Sequence, residues 1–152
     1  MRNVEDKIVL LKSSGSCVFC DLTQGNLKGS DLKGVDLRYA NLSGANLSNT
    51  NLNNANLSNS NLSKANLTST TFIQANLSRA NLIGANLTGA NLSGVDLRGK
   101  DLTSTTLIQA NLSRANLTGV DLTGANLIGV DLTGANLIGV DLTGANLIGV
   151  NL

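Results

Sequence analysis

A leucine falls every five residues from Leu22 to Leu152, and Phe72 is the one substitution in 27 slots. Five fits neither regular element. On an α-helix five residues advance about 500°, so successive leucines would stand about 140° apart and spiral around the rod. On a flat strand five is odd, and the leucines would alternate between faces. All of them reach one core only if the chain turns once per repeat. The residue two before each leucine agrees, because it is usually small or apolar: Ala40, Ala45, Ala55, Ala65, Ala75, Val120 and Val130. Two inward positions separated by one outward position make a minimal strand, and the other two residues suit an exposed turn.

Glycine stands two after the leucine at Gly84, Gly89, Gly94, Gly99 and in every repeat from Gly119 to Gly149. Glycine there permits positive φ and tight turns of type II. No proline interrupts the chain, so no ladder donor is missing. The chain is therefore expected to wind as a solenoid, each turn stacked about 4.7–4.9 Å above the last. After Gly119 the repeats alternate Val-Asp-Leu-Thr-Gly with Ala-Asn-Leu-Ile-Gly. That ten-residue period divides a 20-residue turn evenly and a 15-residue turn unevenly, which favours four sides.

The A-[ND]-L-x-x run from Cys20 to Leu152 resembles the pentapeptide-repeat proteins, and the entrance Cys17-x-x-Cys20-Asp21-Leu22 is similar to the start of many cyanobacterial members. The resemblance implies an all-β, right-handed quadrilateral β-helix of about seven coils, with the leucine and the residue two before it pointing inward. Residues 1–14 are then an N-terminal capping helix and connector, and residues 15–152 the repeat β-helix, one domain in all. In the cap, Val4, Ile8 and Leu11 recur at i, i+4 and i+7, with Glu5 and Asp6 in the first turn, which predicts a short amphipathic helix over Asn3–Lys12. Phe19 and Tyr39, 20 residues apart, are expected on one exterior column, with Phe19 packed beneath that helix.

Composition excludes several function classes. Net charge is +1, and from Gly15 onward eight Asp face eight Lys or Arg, so clustered basic charge for nucleic acid is absent. The longest aliphatic run, Ile8–Leu11, is too short to span a bilayer. No export signal is visible, so the expected location is cytoplasmic, with the periplasm or thylakoid lumen as alternatives for a processed chain. Histidine is absent, and the carboxylates lie in a repetitive exterior ladder. No catalytic constellation and no cofactor are expected. Cys17 and Cys20 both fall in inward slots. Two cysteines without histidine do not complete a four-ligand zinc site, which leaves two small apolar plugs or a local disulfide.

Several exterior columns follow from a 20-residue turn. Asn or Asp precedes nearly every leucine, and stacked amides there are expected to bond along the axis as Asn ladders do. Thr71 and Thr106 break the pattern inside a duplicated unit, Thr68–Leu82 and Thr103–Leu117, displaced by 35 residues. Since 35 is not a multiple of 20, the copy lands on different faces and reads as scaffold growth. Asp101, Asp121 and Asp141 form an acidic ladder that needs solvent, a counter-ion or nearby donors. Thr103, Thr123 and Thr143 lie on the same side, a poor lattice for ice beside charged Asp. Ile108, Ile128 and Ile148 make an exposed β-branched stripe, a candidate partner surface. Lys100 occupies an inward slot between Ala80 and Val120, where an unpaired ammonium is costly; it must snorkel, pair with a neighbour such as Asp101, or open a bulge.

The reading that follows is a non-enzymatic scaffold or protein–protein interaction module with an unknown protein partner, and the uncapped C-terminal coil is expected either to form an end-to-end homodimer or to reflect truncation from a longer neighbouring chain. The alternative comes from the resemblance: some pentapeptide-repeat proteins bind DNA gyrase because a rod of duplex-like width carries duplex-like negative charge. The repeats here are close to neutral, and that departs from the pattern.

Overall fold

The computed structural model describes residues 3–152. From Ser16 onward, parallel bridges join residues 20 apart: Asp21 to Asn41, Asn41 to Asn61, and so on to Asp131 with Asn151. One turn therefore takes four repeats, one per side, and about seven turns stack into a rod.

Most repeats satisfy their backbone in the same way. In Asn41–Ala45, the Asn41 N–H donates to Cys20 O in the coil before (2.8 Å), and the Leu42 and Gly44 amides donate to Asn61 and Ser63 in the coil after (2.7 and 2.9 Å). The Ala45 N–H closes the corner onto Leu42 O at 3.0 Å. Four of the five amides thus have backbone acceptors. The fifth, on the residue after the leucine, has none, and a side chain meets it: Ser43 N–H donates to Asn41 Oδ1 at 3.2 Å. The same Asx turn recurs at Asn61–Ser63, Asn91–Ser93 and Asp141–Thr143. A buried or half-buried amide left without an acceptor is costly, so this is why Asn or Asp precedes the leucine.

The expected axial amide ladder is therefore a minor feature. Asn51 reaches Asp31 at 2.9 Å, and Asn61 and Asn151 reach Asn41 and Asp131 at 3.3 Å. Elsewhere the carbonyl oxygen turns back to its own corner. At Thr71, which has no such oxygen, the Ile73 amide instead donates to Asn53 Oδ1 in the coil before.

The third corner residue takes positive φ throughout. Gly119 does so at 66°, and Phe19, Tyr39 and Arg79 do so at 57°, 59° and 56°. A side chain in that region costs about 1–2 kcal/mol, so corners without glycine are closed against their preference by the ladder. The bore holds the leucines and the residues two before them. Among the latter, Thr50 and Thr70 donate their hydroxyls to Leu27 O and Leu47 O, 2.9 and 2.7 Å away.

Helix α1 spans Val4–Ser14, two residues past the expected Lys12. Asn3 and Asp6 form a reciprocal capping box, and Gly15 ends the helix at φ 71° with its N–H on Leu11 O. Ile8 and Leu11 are buried on the first coil. Gly25 makes room: a Cβ there would stand 3.0 Å from Val4 Cγ1 and 3.2 Å from Ile8 Cδ1. Phe19 does not lie under the helix as expected. Its corner position turns it outward, 73% exposed, and its ring stacks on Tyr39 with centroids 4.7 Å apart. No helix among the described residues is long and apolar enough to cross a membrane.

Candidate functional site

The regular ladder opens in one place. Bridges run from Thr71 to Asn91 and resume at Asn86 to Thr106, and the two registers between, 76 with 96 and 81 with 101, are missing. The Leu77, Arg79, Leu82 and Gly84 amides, which the repeat pattern assigns to acceptors in the next coil, make no backbone hydrogen bond. Lys100 lies at this gap. The residue is 8% exposed, and Nζ donates to Ala80 O, directly beneath it, at 3.2 Å. A four-carbon chain with a charged head does not fit a slot that holds alanine or valine in the coils on either side, and the two coils part to admit it. The expected bulge is not what forms: the ladder opens with its register unchanged, since the bridges on both sides of the gap still join residues 20 apart.

Asp101 is not its partner. That carboxylate faces outward and accepts from the Thr103 amide and hydroxyl at 2.9 and 2.7 Å. The carboxylate that acts on Lys100 is Asp96: burial pushes the ammonium below its ordinary value, and Asp96 partly offsets this. Asp96 is itself gripped by Arg98 through Nε and a terminal nitrogen, 2.9 and 2.7 Å, and these bonds hold its carboxyl below the usual range. Ser78, Arg79, Asp96, Arg98 and Lys100 line a cleft of about 310 Å³ at the gap.

The acidic ladder is present as a column, with Asp101 bridged to Asp121 and Asp121 to Asp141. Each carboxylate accepts from its own threonine amide at 2.9 Å. Hydrogen bonds from Thr103 and Thr143, side chain first and backbone second, hold Asp101 and Asp141 below their ordinary pKa. Nearby donors thus stabilise the charged form at Asp101 and Asp141. Among the described residues no group of three potential ligands could hold a metal.

The isoleucine stripe is less exposed than expected. Ile108 and Ile128 are half-buried by the rows on either side, and only Ile148 stands free at 69%. Ile138, in the same coil on another face, is 70% exposed and was not part of the expected stripe. Cys17 and Cys20 form a disulfide, with Cα atoms 5.3 Å apart. Cys17 is buried as expected, whereas Cys20 is only half-buried.

A leucine on every side, four sides to a turn and one 20-residue register define a right-handed quadrilateral β-helix. The chain belongs to the pentapeptide repeat family, whose model matches residues 16–54, 50–89, 60–99, 85–124, 101–137 and 115–152. It is similar to trypsin-treated QnrB1, a plasmid-mediated fluoroquinolone resistance protein, at 22% identity over 86% of this chain and 87% of that one, TM-score 0.53. That likeness concerns the fold. HetL of the cyanobacterium Nostoc sp. strain PCC 7120, involved in heterocyst differentiation regulation, shares 28% identity over 100% of this chain and 95% of that one, TM-score 0.29. Rfr23 of the cyanobacterium Cyanothece 51142 shares 29% over 95% of each chain, TM-score 0.32. No curated protein sequence matches the chain.

Proposed function

We propose that this chain is a non-enzymatic scaffold that works by presenting surfaces to other proteins, and that its C-terminal coil pairs end to end with the same coil of a second copy. One observation carries the reading. Every leucine slot from 22 to 132 is at most 3% exposed, whereas Leu147 is 45% and Leu152 79% exposed. Leu137 and Leu142 are half-buried in the same coil. Exposed apolar core slots favour association. A second copy related by a two-fold axis offers the same slots at the same spacing, so the surface is self-complementary. Ile148 adjoins this end and extends its apolar area.

Sedimentation equilibrium tests the pairing. The expected result is a dimer that becomes monomeric when Leu147→Asp and Ile148→Ser are combined, with unchanged β-sheet circular dichroism. A wild-type monomer at high micromolar concentration would reject the pairing. The topoisomerase-directed alternative has less support, since the net charge is +1 and the surface is not duplex-like. Inhibition of gyrase supercoiling that fades as salt rises would put that reading ahead of the scaffold.

A further inference from the structure

We propose that the cleft at Lys100 is a binding site for a phosphate-class oxyanion, taken either as free phosphate or as the phosphate group of a modified molecule. The argument begins with unused donors. An ammonium has three protons to give, and Lys100 places one on Ala80 O; no other protein acceptor for it is found among the described residues. It is nine-tenths buried and lines the cleft, so its remaining donors can meet only what enters there.

Charge points the same way. The ion pairs among the described residues are Arg38 with Asp36 and Arg98 with Asp96. Arg98 is thereby fixed in place by Asp96, which offsets Lys100 only in part, so the cleft sets three cations, Arg79, Arg98 and Lys100, against one carboxylate. That positive excess matches a phosphate dianion better than a single carboxylate. A guanidinium fork and a compact ammonium are the usual pair of groups for such a ligand. The Arg79 amide makes no backbone hydrogen bond, so a residue that lines the cleft also carries an unpaired backbone donor. The cleft's volume of about 310 Å³ exceeds what one oxyanion needs, which leaves room for the remainder of a phosphorylated molecule.

The duplicated unit supplies an internal control. Arg114 stands in the second copy where Arg79 stands in the first. Its amide keeps the ladder bond to Thr133 O at 2.9 Å, and no lysine opens the coil above it. If general surface charge were enough, the two arginines would act alike. If the opened cleft is the site, only Arg79 matters.

Calorimetric titration at low ionic strength, with inorganic phosphate and separately with a phosphoserine peptide and its unphosphorylated form, tests the proposal. The full chain is expected to show one saturable site, of about 1 mM or tighter for at least one phosphate-bearing probe. Arg79→Gln and Lys100→Met should each weaken it at least about tenfold, while Arg114→Gln leaves it unchanged. Since Lys100→Met can let the coils close, Arg79→Gln is the decisive variant, because it keeps both the lysine and the gap. Tighter binding of free phosphate or of the phosphopeptide identifies the source, and either supports the site. Absence of saturable binding, equal loss with Arg114→Gln, or full affinity in Arg79→Gln would overturn it.

Discussion

At position 100 the chain places an ammonium where the coils on either side place Ala80 and Val120. The native ladder gives up its pairing on two sides to hold it. Lys100→Val is therefore expected to stabilise the fold by about 1–3 kcal/mol, by removing a buried charge with unfilled hydrogen bonds and letting the coils rejoin. Urea denaturation would read this as a higher midpoint. Hydrogen exchange should show new protection at the Leu77 and Arg79 amides; continued fast exchange there would mean that something other than the lysine keeps the coils apart. The anomaly was legible in the sequence, because the five-residue register puts residue 100 inward whatever its chemistry. Its partner was not. Asp101 is adjacent in sequence, but strand alternation turns it outward and its own Thr103 corner claims its oxygen. The Asn and Asp positions teach the same lesson. Spacing shows that they stack, but only a count of the five amides per repeat shows that each is required at its own corner.

The one regular helix is fitted to the coil it covers. Cap geometry places α1, through the Asn3–Asp6 box and the left-handed Gly15. Gly25 then decides how closely it approaches, since a Cβ there would meet Val4 Cγ1 at 3.0 Å and Ile8 Cδ1 at 3.2 Å. Both tips are packed between helix and coil, so the larger side chain of Gly25→Val should lift the helix and cost about 1–3 kcal/mol. The expected signature is a loss of helical circular dichroism on heating before the β-helix melts. A single coincident transition at the wild-type temperature would show that the contact is slack. The helix was readable from the i, i+4, i+7 pattern, but its seat was not, because Gly25 occupies a slot that alanine fills elsewhere and looks like one more small residue. Phe19 was misplaced for a related reason. A large aromatic near an end suggests burial, yet the 20-residue register places it at a corner beside Tyr39, where the two rings cover each other.

Across the whole molecule, the same corner is repeated along a rod whose parts contact only their neighbours, so small effects at equivalent corners add. Where the acceptor is an aspartate, the corner also makes the rod sensitive to acid. Asp21, Asp101, Asp131 and Asp141 are held below their ordinary pKa first by threonine side chains and then by the following amide. Asp36 and Asp96 are held down first by Arg38 and Arg98. A carboxyl whose folded pKa is depressed binds fewer protons in the folded chain than in the unfolded one. Its contribution is present above the unfolded value of about 3.9 and is lost as pH falls through the folded value. These groups are exposed or half-exposed, so each effect is small and screened by salt. The melting temperature should therefore be nearly flat from neutral pH down to about 4.5 and fall below that. Asparagine separates this cause from general charge repulsion, because it keeps the acceptor oxygen, does not titrate, and already fills most corners of this chain. Replacing Asp101, Asp131 and Asp141 with Asn should leave the neutral melting temperature close to wild type and make the acid limb shallower. An acid limb as steep as the wild type's would place the sensitivity elsewhere, in the arginine-bound Asp36 and Asp96 or in α1.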